Sequence, residues 1–252
     1  MRNNPQEIID RMLHNGEAML AAGRADQAFE TYMEIVRLCP DPTAQYNLGV
    51  LSAQGRGTEQ SFLEAAYWFY QVSLDGDQEA GDRCRQCMVK YIVQHMNQDT
   101  PRALYERMAH FAFYVYRGQD IRTLANKELF SLGAYYYKQE DYAAAGKLFR
   151  AAAEFGDDGM SQNCLGRFYN RGTGVEKNDL TALYWFDRAV DRQIVPAMPD
   201  RDGILNAYRK NLSRAGFFEQ MNLLGGYCAI GTKGIPRDAA KAAYWRRVAE
   251  AG

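Results

Sequence analysis

The 252-residue sequence has no apolar run that approaches the ~18 residues a membrane-spanning helix needs. Its first twenty residues are interrupted by Glu7, Asp10 and Arg11, so neither a signal peptide nor a membrane span is expected there. A basic excess is lacking too. Thirty Lys and Arg face 31 Asp and Glu, a net charge of -1. Phosphate contacts supply most non-specific nucleic-acid affinity, so this balance argues against a dedicated nucleic-acid binder while leaving a local basic patch open. Histidine is scarce, and His14, His95 and His110 lie far apart without a repeated Cys or carboxylate companion. No Gly-x-x-x-x-Gly-Lys-Ser/Thr phosphate loop occurs. Five cysteines form an odd, irregularly spaced set, which fits a reducing compartment and points to the cytoplasm. The one Cys-x-x-Cys, Cys84-Arg85-Gln86-Cys87, lacks the second ligand pair or strand context that metal or redox use requires. No cofactor, metal or catalytic centre is expected, and no membrane or nucleic-acid partner.

What the chain has is aromatic residues, few prolines and an internal register. Only seven prolines interrupt it, which permits a mostly helical chain. All three tryptophans share one context: Tyr67-Trp68-Phe69, Tyr184-Trp185-Phe186 and Tyr244-Trp245-Arg246. A Leu-Gly pair precedes each (Leu48-Gly49, Leu165-Gly166, Leu224-Gly225), with Gly-to-Trp distances of 19, 19 and 20 residues. Between them sit the glycine turns Gly55-Arg56-Gly57, Gly172-Thr173-Gly174 and Gly231-Thr232-Lys233-Gly234. Seven residues before each Trp stands an N-cap type, Ser61, Asn178 or Asp238. Three before it stands Ala65, Ala182 or Ala242, small enough to let helices approach beside the indole. Glycine supplies the positive φ needed to end one helix and reverse direction. Each unit therefore reads as helix, glycine turn, capped helix, with the Tyr-Trp-Phe stripe as inter-repeat core rather than a base-stacking platform.

Leu165-Gly166, Tyr169, Gly172, Gly174-Val175, Ala182, Trp185 and Ala189 resemble the Sel-one-like repeat, and Ile235-Pro236-Arg237-Asp238, Ala242, Trp245 and Ala249 resemble its second half. The first unit is instead similar to a tetratricopeptide repeat through Gly16, Ala28, Tyr32 and Pro40, and Leu132-Gly133 through Phe149 and Gly156 has that shorter turn. The resemblance implies an all-α fold, a right-handed α-α superhelix of about six antiparallel helix pairs plus one extra helix. Residues 1–252 are expected to form one such solenoid domain, with units at 6–40, 42–76, 77–120, 122–156, 158–192 and 217–252. Residues 77–120 form a degenerate pair broken at Asn97 to Pro101. Residues 193–216 form an inserted loop, with Pro196 and Pro199, followed by a helix carrying Ile204, Leu205 and Tyr208.

In the tetratricopeptide family ligands contact the inner face of each first helix, and the register transfers that face to this chain. In the fourth unit it carries Lys127, Phe130, Ala134, Tyr137 and Lys138; in the fifth, Met160, Asn163, Arg167, Asn170 and Arg171; in the sixth, Asn222. Arg and Asn in one groove would hold a peptide carboxylate and its backbone by charge-assisted hydrogen bonds. The resemblance thus implies a non-enzymatic protein-interaction scaffold with a peptide or protein partner. The alternatives are a nucleic-acid-binding helical repeat and a regulatory subunit or domain cut from a larger protein. The last unit ends at Ala249-Glu250-Ala251-Gly252 without a polar capping helix. A longer chain, self-association through that repeat, or a partner would each cover the exposed face.

Overall fold

In the computed structural model, residues 4–117 and 120–251 are described. They form thirteen α-helices and no strand: α1 Pro5–Ala21, α2 Ala25–Leu38, α3 Pro42–Gln54, α4 Phe62–Ser73, α5 Gln78–Met96, α6 Pro101–Tyr116 and α7 Ile121–Lys138, then α8 Tyr142–Glu154, α9 Gly159–Arg171, α10 Asp179–Asp191, α11 Ala197–Asn211, α12 Arg214–Ile230 and α13 Ala239–Ala251. The fold class is all-α, six helix pairs with α11 as the additional helix. The chain divides into two compact units, one of residues 1–99 and 106–121, the other of residues 100–105 and 122–252.

Two turn lengths define two kinds of pair. The turns at 22–24 and 139–141 have three residues; those at 55–61, 172–178 and 231–238 have seven, seven and eight. Each long turn is closed the same way. Its first glycine (Gly55, Gly172, Gly231) ends the first helix in the left-handed region, with φ of 66°, 74° and 75°. The cap residue at its far end then returns its own N–H to the first helix: Ser61 to Ser52 O, Asn178 to Tyr169 O and Asp238 to Cys228 O, at 2.8–2.9 Å. The same three side chains accept the N–H groups of Glu64, Thr181 and Lys241, as N-caps do.

Within a pair, the glycine of the first helix is a seat for an aromatic ring of the second. Tyr32 lies over Gly16, Phe69 over Gly49, Phe149 over Gly133 and Phe186 over Gly166. A Cβ at any of these glycines would come within 2.5–2.8 Å of the ring, so only the bare backbone admits it. At Gly225 the seat is filled by the Arg246 stem.

The tryptophans differ among themselves. Trp185 and Trp245 are fully buried, but Trp68 is half-buried against the first unit's core of Ile9, Tyr32, Ile35 and Leu48. Trp185 Nε1 donates to Gly234 O at 3.2 Å and Thr181 Oγ1 to Lys233 O at 2.9 Å, so α10 holds the glycine turn of the next long-turn pair. The pair following Trp68 (α5 and α6) has no glycine turn between its helices to receive. The inserted segment also differs from the expected loop. α11 begins at Ala197, directly after Pro196, and carries Pro199 in its first turn, where the missing proline N–H costs nothing.

The polar residues of α10 bind its neighbours. Asp187 is 3% exposed and meets Lys241 of α13 at 2.5 Å and Arg201 of α11 at 3.5 Å. Arg188 bridges Asp157, before α9, and Asp238, at the cap of α13, at 2.6 and 3.0 Å. Burial pushes the Asp187 carboxyl up against the opposing pull of Lys241.

Candidate functional site

α7 and α9 are the first helices of successive pairs in the second unit, and a groove runs between them. Phe130, Ala134 and Tyr137 come from α7, and Cys164, Arg167, Phe168 and Arg171 from α9. They enclose an open cavity of about 180 Å³, completed by Phe149 of α8 and Thr173 of the following turn. Its floor is aromatic. The Phe149 and Phe168 rings meet edge-on at 5.8 Å and 88°, Phe130 tilts against Phe149 at 5.7 Å, and Tyr137 leans on Phe168 and Tyr142 at 5.8 and 5.4 Å. Because Phe149 is seated on Gly133 and Phe168 is buried, this floor is fixed by the repeat packing itself.

The rim is cationic. Arg167 and Arg171 stand one helical turn apart on α9, so both heads lie on the same edge. Arg167 Nε lies 3.3 Å from Asp200 Oδ2 of α11, while Arg171 has no ion-pair partner among the described residues. At the cavity wall, burial pushes the Cys164 thiol up to about 11, so it lines the groove as a neutral apolar group.

The inner-face residues expected from the repeat register therefore separate. Phe130, Ala134, Tyr137, Arg167 and Arg171 converge on one cavity. Lys127 and Lys138 are exposed on α7 but do not line it. Met160 is 44% exposed at the start of α9, also outside the lining. Asn163 is buried at 4% exposure with its Oδ1 unpaired among the described residues, so it presents nothing to an open groove. Asn170 faces a separate cleft against Asp200, Gly203 and Tyr208 of α11. Asn222 is half-buried on α12 and lines none of these hollows. Phe149, Phe168, Thr173 and Asp200 escape the register, because they come from a second helix, a buried face, a turn and the insertion. The aromatic-over-glycine spacing of Phe149 is the one signal that singles any of them out.

Among the described residues no three His, Cys, Asp or Glu side chains approach one another as metal ligands would, and no helix is long and apolar enough to cross a membrane. Cys84 and Cys87 are buried on α5.

The long-turn pairs coincide with a known repeat. The Sel1 repeat family model matches residues 42–77, 159–193 and 221–246, the pairs α3/α4 and α9/α10 and most of α12/α13. Three segments of the chain match the Sel1 repeat. These are the units whose Trp register and capped glycine turns are described above, and Sel1 repeats are generally protein-interaction scaffolds of a typically non-catalytic fold. Among solved structures the chain is similar to a Sel1 repeat protein from Oxalobacter formigenes, at 21% identity over 99% of this chain and 91% of that one, with a TM-score of 0.29. It is also similar to c5321, a protective antigen present in uropathogenic Escherichia coli strains and displaying an SLR fold, at 20% identity over 97% of this chain and 69% of that one, with a TM-score of 0.30. No curated protein matches the chain.

Proposed function

We propose that this Sel1-repeat chain is a non-enzymatic scaffold that takes a peptide segment of a protein partner in the groove between α7 and α9. The supporting observation is the aromatic cavity of about 180 Å³ edged by two arginines, one of them without an ion-pair partner among the described residues. Small concave sites that combine an apolar floor with a few convergent polar groups are where peptides and ligands gain most per unit of area. The rigid floor also lowers the ordering cost of binding on the protein side, which falls on the rim side chains. The same reading sets the protein in the cytoplasm, supported by cysteines without a regular disulfide spacing.

The test is selection from a random dodecapeptide phage library on the immobilised chain, repeated on the triple variant Tyr137→Ala, Arg167→Ala, Arg171→Ala. Peptides enriched on the wild type should be lost on the variant at an unchanged far-ultraviolet helix signal. Enrichment that is equal on both proteins would sink the groove reading.

A further inference from the structure

α11 is the helix that the repeat plan does not call for, and it places a carboxylate on the groove's edge. Asp200, in its first turn, pairs with Arg167, with side chains 34% and 45% exposed. An ion pair so open to solvent is weak, on the order of 0.2–1 kcal/mol, and is exchanged at little cost. One carboxylate also leaves the edge positive, because Arg171 lies one turn further along α9. Beside these heads lies a hollow of about 180 Å³ walled by Phe130, Tyr137, Phe149 and Phe168. An apolar cavity of roughly 150 Å³ suffices for a benzene ring, so this one has room for a single aromatic or branched side chain.

We infer that the groove takes a segment in which one such apolar side chain stands beside Asp or Glu, and that Asp200 is a resident competitor which the ligand's carboxylate displaces from Arg167. The inference rests on the peptide-groove reading above. The ring fills the hollow and removes its walls from water, while the ligand carboxylate forms charge-assisted hydrogen bonds with Arg167 and Arg171. Asp200 offers Arg167 the same chemical group on a tether, so it taxes acidic ligands and leaves neutral ones alone. Its removal should therefore tighten acidic peptides by about 1.4- to five-fold, the fold-change equivalent of an exposed pair.

The probes are the most enriched dodecapeptides from the selection on wild type, resynthesised with a fluorescein label and an amidated C-terminus. The amide excludes a chain-terminal carboxylate as the source of binding. Fluorescence anisotropy then compares each peptide with its Asp/Glu→Asn/Gln counterpart on wild type, Asp200→Asn and Asp202→Asn. Asp202 pairs with Arg201 on the same helix, so its replacement controls for net charge. The enriched peptides should pair an apolar residue with an acidic one, and their amide counterparts should bind at least about tenfold more weakly. Asp200→Asn should tighten the acidic peptide alone, and Asp202→Asn should change nothing. Asp200→Ser serves as a second variant should the amide disturb the start of α11. Groove-dependent peptides without acidic residues would overturn this inference and leave the peptide-groove reading intact. An Asp200 variant that binds no tighter than the Asp202 control would remove the competitor. Peptides indifferent to the Tyr137, Arg167 and Arg171 triple variant would remove both readings.

Discussion

Replacing Gly166 by alanine should destabilise the second unit by about 1–2 kcal/mol, and replacing Gly203 should stabilise it. Both glycines lie inside helices, α9 and α11. By helix propensity alone either change would gain up to ~1 kcal/mol, because glycine pays the larger backbone entropy on ordering. At Gly203 a Cβ meets no atom within 4 Å, so that gain survives as about 0.5–1 kcal/mol. At Gly166 the Cβ would stand 2.5, 2.6 and 2.9 Å from Cδ1, Cε1 and Cγ of Phe186. Carbon atoms rest at roughly 3.5–4.0 Å, so the ring must retreat by about 1 Å. Phe186 is fully buried in the second unit's core, so its retreat displaces neighbours rather than solvent. Overpacking a filled core costs about 1–3 kcal/mol, here toward the upper end because the ring meets the new methyl with three atoms, and the propensity gain is subtracted from that. Urea unfolding, read by far-ultraviolet dichroism and by the fluorescence of Trp185 and Trp245, measures both variants. In a Phe186→Leu background the cost of Gly166→Ala should shrink, a coupling that a double-mutant cycle isolates. A Gly166→Ala protein with the wild-type midpoint or a higher one, at unchanged slope, would refute the seat of the ring on the glycine.

Trp185→Phe should cost about 1 kcal/mol more than Trp245→Phe. The first strips a donor from Gly234 O, whereas the Trp245 Nε1 is buried without an acceptor among the described residues, and equal losses on thermal unfolding would contradict this. Lys241→Met should cost about 3 kcal/mol, because it leaves the carboxylate of Asp187 buried with Arg201, at 3.5 Å, as its one cation among the described residues; Asp187→Asn in the same chain should restore part of the melting temperature. Stability should fall as pH rises from about 9 to 11, since burial pushes Cys87 and Cys164 up to about 11 and Cys228 up to about 12. In that window the unfolded thiols, with pKa of about 8.5, have lost protons that the folded ones keep, so the unfolded state binds fewer protons and is favoured by raising pH. Cys228→Ala should flatten the decline in melting temperature across that range, and an unchanged slope would exclude the thiol as its source.

The repeat architecture is readable in the sequence because its physical constraints fall at fixed intervals. A ring seated on a glycine demands Gly and an aromatic at a set separation, and a reversed chain demands a glycine followed by a cap. Those requirements make Gly49, Ser61, Gly166, Asn178 and Asp238 informative by spacing alone. The register does not say which side of a first helix stays open. α9 is covered on its N-terminal half, where Gly159, Ser161, Gln162 and Asn163 are all buried, so Asn163 points at protein where a tetratricopeptide helix would offer it to a ligand. Asn170 is diverted by α11, an element outside the repeat count, and Trp68 is left half-buried while Trp185 and Trp245, in the same sequence context, are fully buried. The cavity is only half legible for the same reason: first helices supply residues that counting finds, while Phe149 and Asp200 arrive from elements that counting ignores.

The second glycine of each long turn lies against the preceding pair: Gly57 on the Ala25 carbonyl and Asp26 nitrogen, Gly174 on Tyr142, and Gly234 on the Tyr169 ring. Two of these contacts are made on short-turn pairs, α1/α2 and α7/α8, and at Gly57 the surface met is main chain. A joint made on backbone asks little of its neighbour's side chains. The long turn therefore follows either kind of unit, meeting main chain at Gly57 and the Tyr169 and Arg150 side chains at Gly234. Arrays of mixed type can then be lengthened or recombined at that joint without redesigning the helices on either side, and chimaeras cut immediately before a long-turn pair should splice more cleanly than chimaeras cut within one.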